Sequence, residues 1–313
     1  MKDLRLIVIS MDEIRKVFRG RIALNVQLGK YTSFQIGGPA DYYLEPADKK
    51  DCATLIAYCR EQKLPFLVMG KGSNMLVSDE GFRGAVINLE YGLNTIGWDG
   101  DCVSVGSGML LSRFVDFCIQ QGLRGVEMLP GIPGTIGGAI VMNAGAYSGE
   151  ISDHLVDVEV LREGQIRTVR KAEGDFSYRR SGFAGDVVLG ARFRLPRGDT
   201  AELMRLRREL LIKRNRVQPV NYPNSGSMFK NPTGKFAAKL IEESGLKGTK
   251  IGNAQISERH ANFIVNLGDA SAMDVLGLVE KAQKVVFEKF GVHLELEVKL
   301  IGFPEEVTHE VWS

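Results

Sequence analysis

The sequence predicts an α+β protein made of a larger N-terminal unit and a smaller C-terminal one. Three observations carry this reading. From Tyr31 to about Arg197, strand, turn and short-helix patterns alternate. Pro196-Arg197-Gly198-Asp199 then interrupts the alternation and leads into a helix. Beyond that helix, a short helix, a long capped helix and an alternating strand form a second, smaller α+β pattern. The expected divisions are an extension and lead-in helix at 1–24, the larger unit at 25–198, the smaller unit at 199–303 and a tail at 304–313.

Each element has a local reason. Tyr42-Tyr43-Leu44-Glu45-Pro46 reads as a strand stopped by proline. Lys49 to Gln62 is amphipathic, with Cys52, Leu55, Ile56 and Cys59 at helical spacing. Pro65 to Met69 reads as a buried strand running into a glycine-rich loop, and Gly84 to Leu89 as another strand. A strand at Cys102 to Gly108 precedes a helix from about Leu111 to Gln121. Leu155 to Val169 alternates like a hairpin around Glu163-Gly164, and Asp186 to Leu195 is a further strand. Asp199 or Thr200 caps a helix running from near Ala201 to about Arg216, with Leu203, Leu206, Leu210 and Leu211 facing inward. Lys235 to Ser244 predicts a helix with Phe236, Ala237, Leu240 and Ile241 on one face and Gly245 closing it. Ser271 to Phe290 opens on a capping box, Ser271-Ala272-Met273-Asp274, and ends at Gly291. Val292 to Ile301 alternates as a strand.

Composition narrows the function classes. With 44% apolar and 25% charged residues, the 313-residue chain is an ordinary globular one, and its net charge of +2 gives no reason to expect nucleic acid. Cys52, Cys59, Cys102 and Cys118 form no C-x-x-C pair, so no zinc or redox dithiol is indicated, and the pattern fits a reducing cytoplasm. His154, His260, His293 and His309 lie far apart, so no protein-built metal site is expected. Met1 to Ser10 is too short and charged for a signal peptide and reads as a loosely ordered extension. No apolar run approaches the roughly 18 residues of a membrane span. The absence of a spare apolar stripe points to a monomer.

Four constellations can carry chemistry. The first is a pair of glycine-rich runs, Met69 to Leu76 and Leu129 to Ala139. Neither is a P-loop, and Gly70-Lys71-Gly72 and Gly106-Ser107-Gly108 both lack the third glycine of a Rossmann fingerprint. Each run alone could be a structural turn. Together they suggest two loops whose bare N–H groups hold a dinucleotide along its diphosphate. The second is Ser225-Gly226-Ser227-Met228-Phe229-Lys230-Asn231-Pro232, where Ser227 is either a turn serine or a hydroxyl placed to donate a proton. The third, Phe176 to Phe183, holds Arg179 and Arg180, which are solvated unless one is held rigid to grip a carboxylate. The fourth is the polar face of the last strand, where Glu295, Glu297 and Lys299 line up with no physical ground for preferring either acid. Basic residues between Arg205 and Arg216 make either a solvated helix face or an anion-facing edge.

The order of these stretches resembles the UDP-N-acetylenolpyruvoylglucosamine reductase family. The matched stretches are Tyr31-Thr32-Ser33-Phe34-Gln35-Ile36-Gly37-Gly38, Gly70 to Leu76, Leu129 to Ala146, Tyr178-Arg179, Gly226 to Pro232 and Glu297 to Gly302, spread over about Asn25 to Phe303. The resemblance implies a vanillyl-alcohol-oxidase-type FAD-binding domain of two subdomains followed by a smaller substrate domain. It implies that NADPH reduces FAD and that the flavin then reduces the enolpyruvyl group of a UDP-sugar, yielding UDP-N-acetylmuramate for peptidoglycan synthesis. FAD would lie against Gly70, Lys71, Gly72, Ser73, Asn74 and Leu76 of the first run and Pro130, Gly131, Gly134, Thr135, Gly137, Gly138, Asn143 and Ala144 of the second. The catalytic arginine falls on Arg179, the proton-donating serine on Ser227 and the acid on Glu297, the last chosen over Glu295 by the family motif alone. Tyr178, Lys230, Asn231, His260, Lys213 and Arg214 are the implied substrate contacts.

Two departures stand out. Leu296 occupies a position where many relatives have proline. Only a short strand separates Phe183 from the linker, so the chain resembles the class lacking an inserted loop whose Tyr closes over the substrate diphosphate. An oxidase of the same fold would tether its flavin through His or Cys, but no His precedes His154 and no Cys lies in either glycine run. A regulator built on an inactive scaffold would have lost Ser227, Arg179 or Glu297, and all three are present.

Overall fold

The structure is a computed structural model that describes residues 10–307. The expected loose extension, Ser10 aside, lies outside the described residues. Helix α1 (Met11–Val17) is started by a capping box in which Ser10 and Glu13 satisfy each other's main-chain N–H groups.

The larger unit contains two subdomains. In chain order, the first holds β1 (Arg21–Gln27), β2 (Pro39–Glu45), α2 (Lys49–Glu61), β3 (Phe66–Met69), β4 (Met75–Val77) and β5 (Phe82–Asn88). Its sheet runs β1-β2-β5-β3, with β1 antiparallel to β2 and the other pairs parallel. Helices α1 and α2 cover one face, where Cys52, Leu55, Ile56 and Cys59 are buried against Leu44, Ala85 and Ile87. Strand β1 crosses the expected boundary at residue 24, because its ladder with β2 starts at Arg21. Strand β3 is half-buried rather than buried, because it is the sheet's edge.

The second subdomain holds β6 (Ile96–Asp99), β7 (Cys102–Gly106), α3 (Leu111–Gln120), α4 (Ile136–Val141), the small hairpin β8 (Gly145–Ala146) and β9 (Gly149–Glu150), β10 (Leu155–Arg162), β11 (Gln165–Arg170) and β12 (Val187–Phe193). Its antiparallel sheet runs β11-β10-β12-β7-β6. Helices α3 and α4 pack on it around Phe114, Ile136, Ile140 and Phe193. Glu163 and Gly164 both have positive φ (52° and 80°), the geometry of a tight two-residue hairpin, as the sequence predicts.

The linker delivers α5 (Thr200–Val217), capped by the Asp199 carboxylate on Glu202 N–H. This helix is less buried than its leucines predict. Only Leu203 is fully inside, while Leu206, Leu210 and Leu211 are half-buried, because the helix straps the outside of the larger unit. The smaller unit contains α6 (Ala237–Glu243), β13 (Lys250–Ile251), β14 (Ala254–Ile256), β15 (Ile264–Asn266), α7 (Ala272–Phe290) and β16 (Lys299–Ile301). Helix α7 has the expected Ser271/Asp274 capping box and a left-handed Gly291. Phe236 corrects an expectation: it precedes α6 and is 67% exposed, whereas Ala237, Leu240 and Ile241 point inward.

The last strand is the main topological surprise. Residues 292–301 do alternate, with Leu294, Leu296 and Val298 buried. Yet the segment joins no sheet of its own unit. It touches the Ser227 segment through one antiparallel pair, Phe229 with Leu296, and then pairs in parallel with β4 of the larger unit. Leu76 of β4 is accordingly buried in the core of the smaller unit, with Phe34 and Ile36. The two units are therefore joined by main-chain hydrogen bonds as well as by packing. No helix among the described residues is long and apolar enough to cross a membrane.

Candidate active site

The two glycine runs come together at the ends of β3 and at the start of α4. Ser73 Oγ donates to the Pro133 carbonyl at 2.9 Å, and Asn88 Nδ2 holds the Gly70 carbonyl at 3.1 Å. A Cβ on Gly70 would overlap the Thr135 hydroxyl and come within 2.7 Å of its Cγ2. Gly72 has φ 60° and faces the Tyr31 carbonyl so closely that no side chain fits. Among the described residues, the N–H groups of Lys71, Gly72, Ser73, Gly134, Thr135 and Gly138 donate to no main-chain acceptor. Bare N–H groups on a glycine cradle suit a diphosphate, so the residues present fit the FAD that the resemblance implies.

Some expected cofactor contacts have less to offer. The Gly137 N–H is taken by the Ser107 carbonyl at 2.8 Å. The Ala144 N–H closes α4 onto Ala139, and its carbonyl accepts from Ile151. Pro130 is buried and has no N–H. Leu76 offers only its backbone, since its side chain is in the neighbouring core. Asn143, fully buried with φ 43°, presents a side-chain Oδ1 with no partner, while its Nδ2 donates to Glu150 (2.7 Å) and to the Ser177 carbonyl (3.0 Å). Ser107 Oγ and Ser225 Oγ are also buried without partners.

Arg179 lies in a tight turn between Ser177 and Arg180, whose main-chain groups bond each other in both directions at 3.0 and 3.1 Å. It has φ 56°, a left-handed conformation that costs a side-chain-bearing residue about 1–3 kcal/mol. The turn aims its guanidinium at the smaller unit, where Nε meets Glu297 Oε1 at 3.0 Å. This contact separates the two acids and the two arginines. Glu297 is 15% exposed at its side chain and faces Arg179; Glu295 is 58% exposed and pairs with Lys230. Arg180 lies on the outside near Asp175 at 3.7 Å. Burial pushes the Glu297 carboxyl up, partly countered by Arg179 and Lys230.

Ser227 is tied to this pair through the residue that follows it. The Met228 carbonyl accepts from Glu297 N–H at 2.9 Å, and the Lys230 N–H donates to the Glu295 carbonyl at 2.8 Å. Gly226 before it has φ 82°, its N–H tied to Asn224 Oδ1, and open space where a Cβ would be. The segment is fixed from behind by Asn262, a residue that sequence reasoning does not single out. Its side-chain amide holds both the N–H and the carbonyl of Phe229, at 2.9 and 2.8 Å, and its own carbonyl accepts from Met228 N–H.

The expected substrate contacts divide into two groups. Tyr178 is half exposed, with the Arg179 guanidinium 5.0 Å from its ring centre. Arg214 is tucked against Gly131, within 2.8 Å of where a Cβ would sit, and burial pulls its guanidinium down. Lys213 Nζ lies 5.6 Å over the Tyr147 ring, whose hydroxyl is bonded to the Leu210 carbonyl. Of these, Arg214 lies against the second glycine run at Gly131. Asn231, in contrast, uses its Oδ1 to cap Ala237 N–H at 3.0 Å, and Lys230 is engaged with Glu295. His260 packs edge-on against Phe263 with Nδ1 unpartnered, and burial lowers its pKa so that the ring is neutral near pH 7. The four cysteines are buried; burial pushes Cys52 and Cys118 up to about 12 and Cys59 to about 11.

Known proteins match this chain over most of its length. Residues 40–170 match a family described as FAD binding domain, and residues 218–301 one described as UDP-N-acetylenolpyruvoylglucosamine reductase, C-terminal domain. The UDP-N-acetylenolpyruvoylglucosamine reductase of Chloroherpeton thalassium is 45% identical over 309 residues, covering 96% of this chain and 99% of the relative. That of Lachnoclostridium phytofermentans is 45% identical over 291 residues, covering 90% and 93%. The crystal structure of UDP-N-acetylenolpyruvylglucosamine reductase from Thermus caldophilus superposes with a TM-score of 0.78 at 38% identity, covering 90% of this chain and 99% of that one.

Proposed function

The chain belongs to the UDP-N-acetylenolpyruvoylglucosamine reductase family of oxidoreductases, and from that premise we propose how its residues carry the reaction. The substrates are NADPH and UDP-N-acetylglucosamine-enolpyruvate; the product is UDP-N-acetylmuramate, a peptidoglycan precursor. FAD, which the Gly70–Asn74 and Gly134–Gly138 loops would hold, would supply hydride transfer from NADPH to the terminal CH₂ carbon of the enolpyruvyl group.

The protein's own work begins where that hydride arrives. As the CH₂ becomes CH₃, its π-electron pair moves toward the carboxylate and charge grows on the carboxylate oxygens. Arg179 meets that charge with a planar cation. Glu297, when protonated, donates a hydrogen bond to the same group; burial favours that proton and Arg179 opposes it. Ser227 Oγ–H then protonates the alpha carbon, and solvent restores the serine proton. A serine is a weak acid, so it acts here through placement beside a strongly basic carbon. The observation that carries this reading is the Arg179–Glu297 contact, made between two units, on the strand that bonds the Ser227 segment.

Arg214, against the second glycine run, and its chain neighbour Lys213 take the substrate diphosphate in place of a capping loop. Three residues separate Phe183 from β12, which leaves no room for such a loop there. The domain division at Pro196–Asp199, a monomeric state and a cytoplasmic location for a soluble UDP-sugar complete the proposal. The test is direct. Purified protein should carry flavin absorbance and oxidise one NADPH per enolpyruvyl group consumed. NADPH oxidation that is indifferent to the enolpyruvyl substrate, or a protein that takes up no FAD, overturns the reading.

A further inference from the structure

We propose that Asn74 and Asn143 are positioning residues that transmit the placement of the cofactor loops to the Glu297–Arg179 pair; the inference rests on the functional reading above. Asn74 lies in the first glycine run and Asn143 just after α4, which follows the second, and each donates its side-chain amide to the main chain of a catalytic segment. Asn74 Nδ2 holds the Glu297 carbonyl at 3.0 Å, and the Asn74 carbonyl accepts from Lys299 N–H at 3.1 Å. Asn143 Nδ2 holds the Ser177 carbonyl at 3.0 Å, at the base of the turn that aims Arg179.

The arrangement forms two arms that meet at one ion pair. Along the first, the Gly70–Ser73 loop leads through Asn74 to the Glu297 carbonyl, while the N–H of the same Glu297 is bonded to Met228 beside Ser227. Along the second, α4 leads through Asn143 to Ser177 and so to Arg179, whose left-handed backbone needs such support to persist. The arms close where Arg179 Nε meets Glu297 Oε1 at 3.0 Å. Asn143 is fully buried with φ 43°, a left-handed conformation that asparagine adopts more readily than most side-chain-bearing residues. Ångström-scale misplacement of a reacting group costs about 10²-fold in rate. Without its asparagine, the segment carrying Glu297 or Arg179 would shift relative to the loop, leaving the flavin in place and the carboxylate-binding pair out of register.

Asn74→Ala and Asn143→Ala test this in the FAD-loaded enzyme, each against wild type. Each variant is assayed with FAD at saturation, so that any loss of the FAD contact implied for these residues does not enter the rates. Flavin reduction by NADPH should stay within about twofold. Flavin reoxidation by UDP-N-acetylglucosamine-enolpyruvate should slow by at least about tenfold. The affinity of the oxidised enzyme for that substrate, read from the flavin absorbance change, should weaken by a similar factor. In a double-mutant cycle, Asn74→Ala added to Glu297→Gln should slow reoxidation by less than about twofold, because the residue acts through Glu297. Unchanged reoxidation, equal slowing of both half-reactions, or an additive cycle each overturns the proposal. If Asn143→Ala does not accumulate as folded protein, Asn74, which is half-buried, decides the question alone. A wild type that fails to turn over the enolpyruvyl substrate refutes the functional reading instead, so the two failures are distinguishable.

Discussion

Replacing Gly70 by alanine should open the cofactor cradle by an amount the structure specifies. The added methyl would overlap the Thr135 hydroxyl and lie 2.7 Å from its Cγ2 and 3.0 Å from its Cβ. Carbon atoms rest at about 3.5–4.0 Å, so the two glycine runs must part by about 1 Å. Thr135 cannot swing away cheaply, because it is 3% exposed and forms the N-cap of α4. Overpacking of this kind costs about 1–3 kcal/mol. If that cost falls on the cofactor-binding form, the FAD dissociation constant rises about 5- to 150-fold. Quenching of flavin fluorescence on titration of apoprotein measures it. Thr135→Ala in the same chain removes the hydroxyl and Cγ2 and leaves only the 3.0 Å contact, so it should recover most of the lost affinity. Gly97→Ala is the control, since a Cβ there meets nothing within 4 Å. Unchanged FAD affinity in Gly70→Ala, or no recovery in the double variant, would refute the idea that these loops close on the cofactor together.

Three further outcomes follow from the ion pair. Glu297→Gln should slow flavin reoxidation by at least about 10²-fold, the scale of losing one placed hydrogen-bond group, whereas Glu295→Gln, on an exposed pair, should leave it nearly unchanged. The same Glu297→Gln variant should alter the pH dependence of stability. Burial raises the folded pKa of Glu297, so between the unfolded value of about 4.3 and that raised value the folded state binds the extra proton. Wild-type stability therefore falls with rising pH in that window, by at most about 1.4 kcal/mol per pH unit from this group. Urea unfolding should show that Glu297→Gln gains stability relative to wild type from pH 4 to pH 7; a constant difference across that range contradicts the burial argument. Arg179→Lys keeps the charge but loses the planar fork and the Nε contact, and should cut reoxidation by about 10²-fold or more with NADPH reduction intact. Parallel loss of both half-reactions would instead give Arg179 a role in folding or flavin binding.

Much of the fold was legible because its signals are local. Helices α2, α3 and α7 announce themselves by 3.6-residue periodicity, and α7 by both caps. The glycine runs stand out by composition, and the structure brings them together through Ser73 with Pro133 and Gly70 with Thr135. What was not legible depends on contacts between distant residues. Alternation puts Glu295 and Glu297 on one face of an extended segment; only the Arg179 turn, from the other unit, distinguishes them. The same alternation reveals an extended chain at 292–301 but not its partners, which are a Ser227-segment residue and β4, more than 200 positions earlier. Leucine spacing in α5 predicts an inward face, yet the helix is a strap with only Leu203 fully covered. The left-handed φ of Arg179 is invisible in sequence, since such a turn position ordinarily calls for glycine or asparagine. The asparagine clamps at Asn74, Asn143 and Asn262 carry no periodic signature, and each acquires its role from the main chain it meets.

The account depends on a hydroxyl from the smaller unit protonating a carbon while the larger unit holds the flavin. Stopped-flow absorbance of Ser227→Ala tests this by timing the two half-reactions separately. Flavin reduction by NADPH should proceed near the wild-type rate, and reoxidation by UDP-N-acetylglucosamine-enolpyruvate should slow by about 10²–10⁴-fold. Equal slowing of both steps, or reoxidation at the wild-type rate, would contradict the assignment of Ser227 as proton donor.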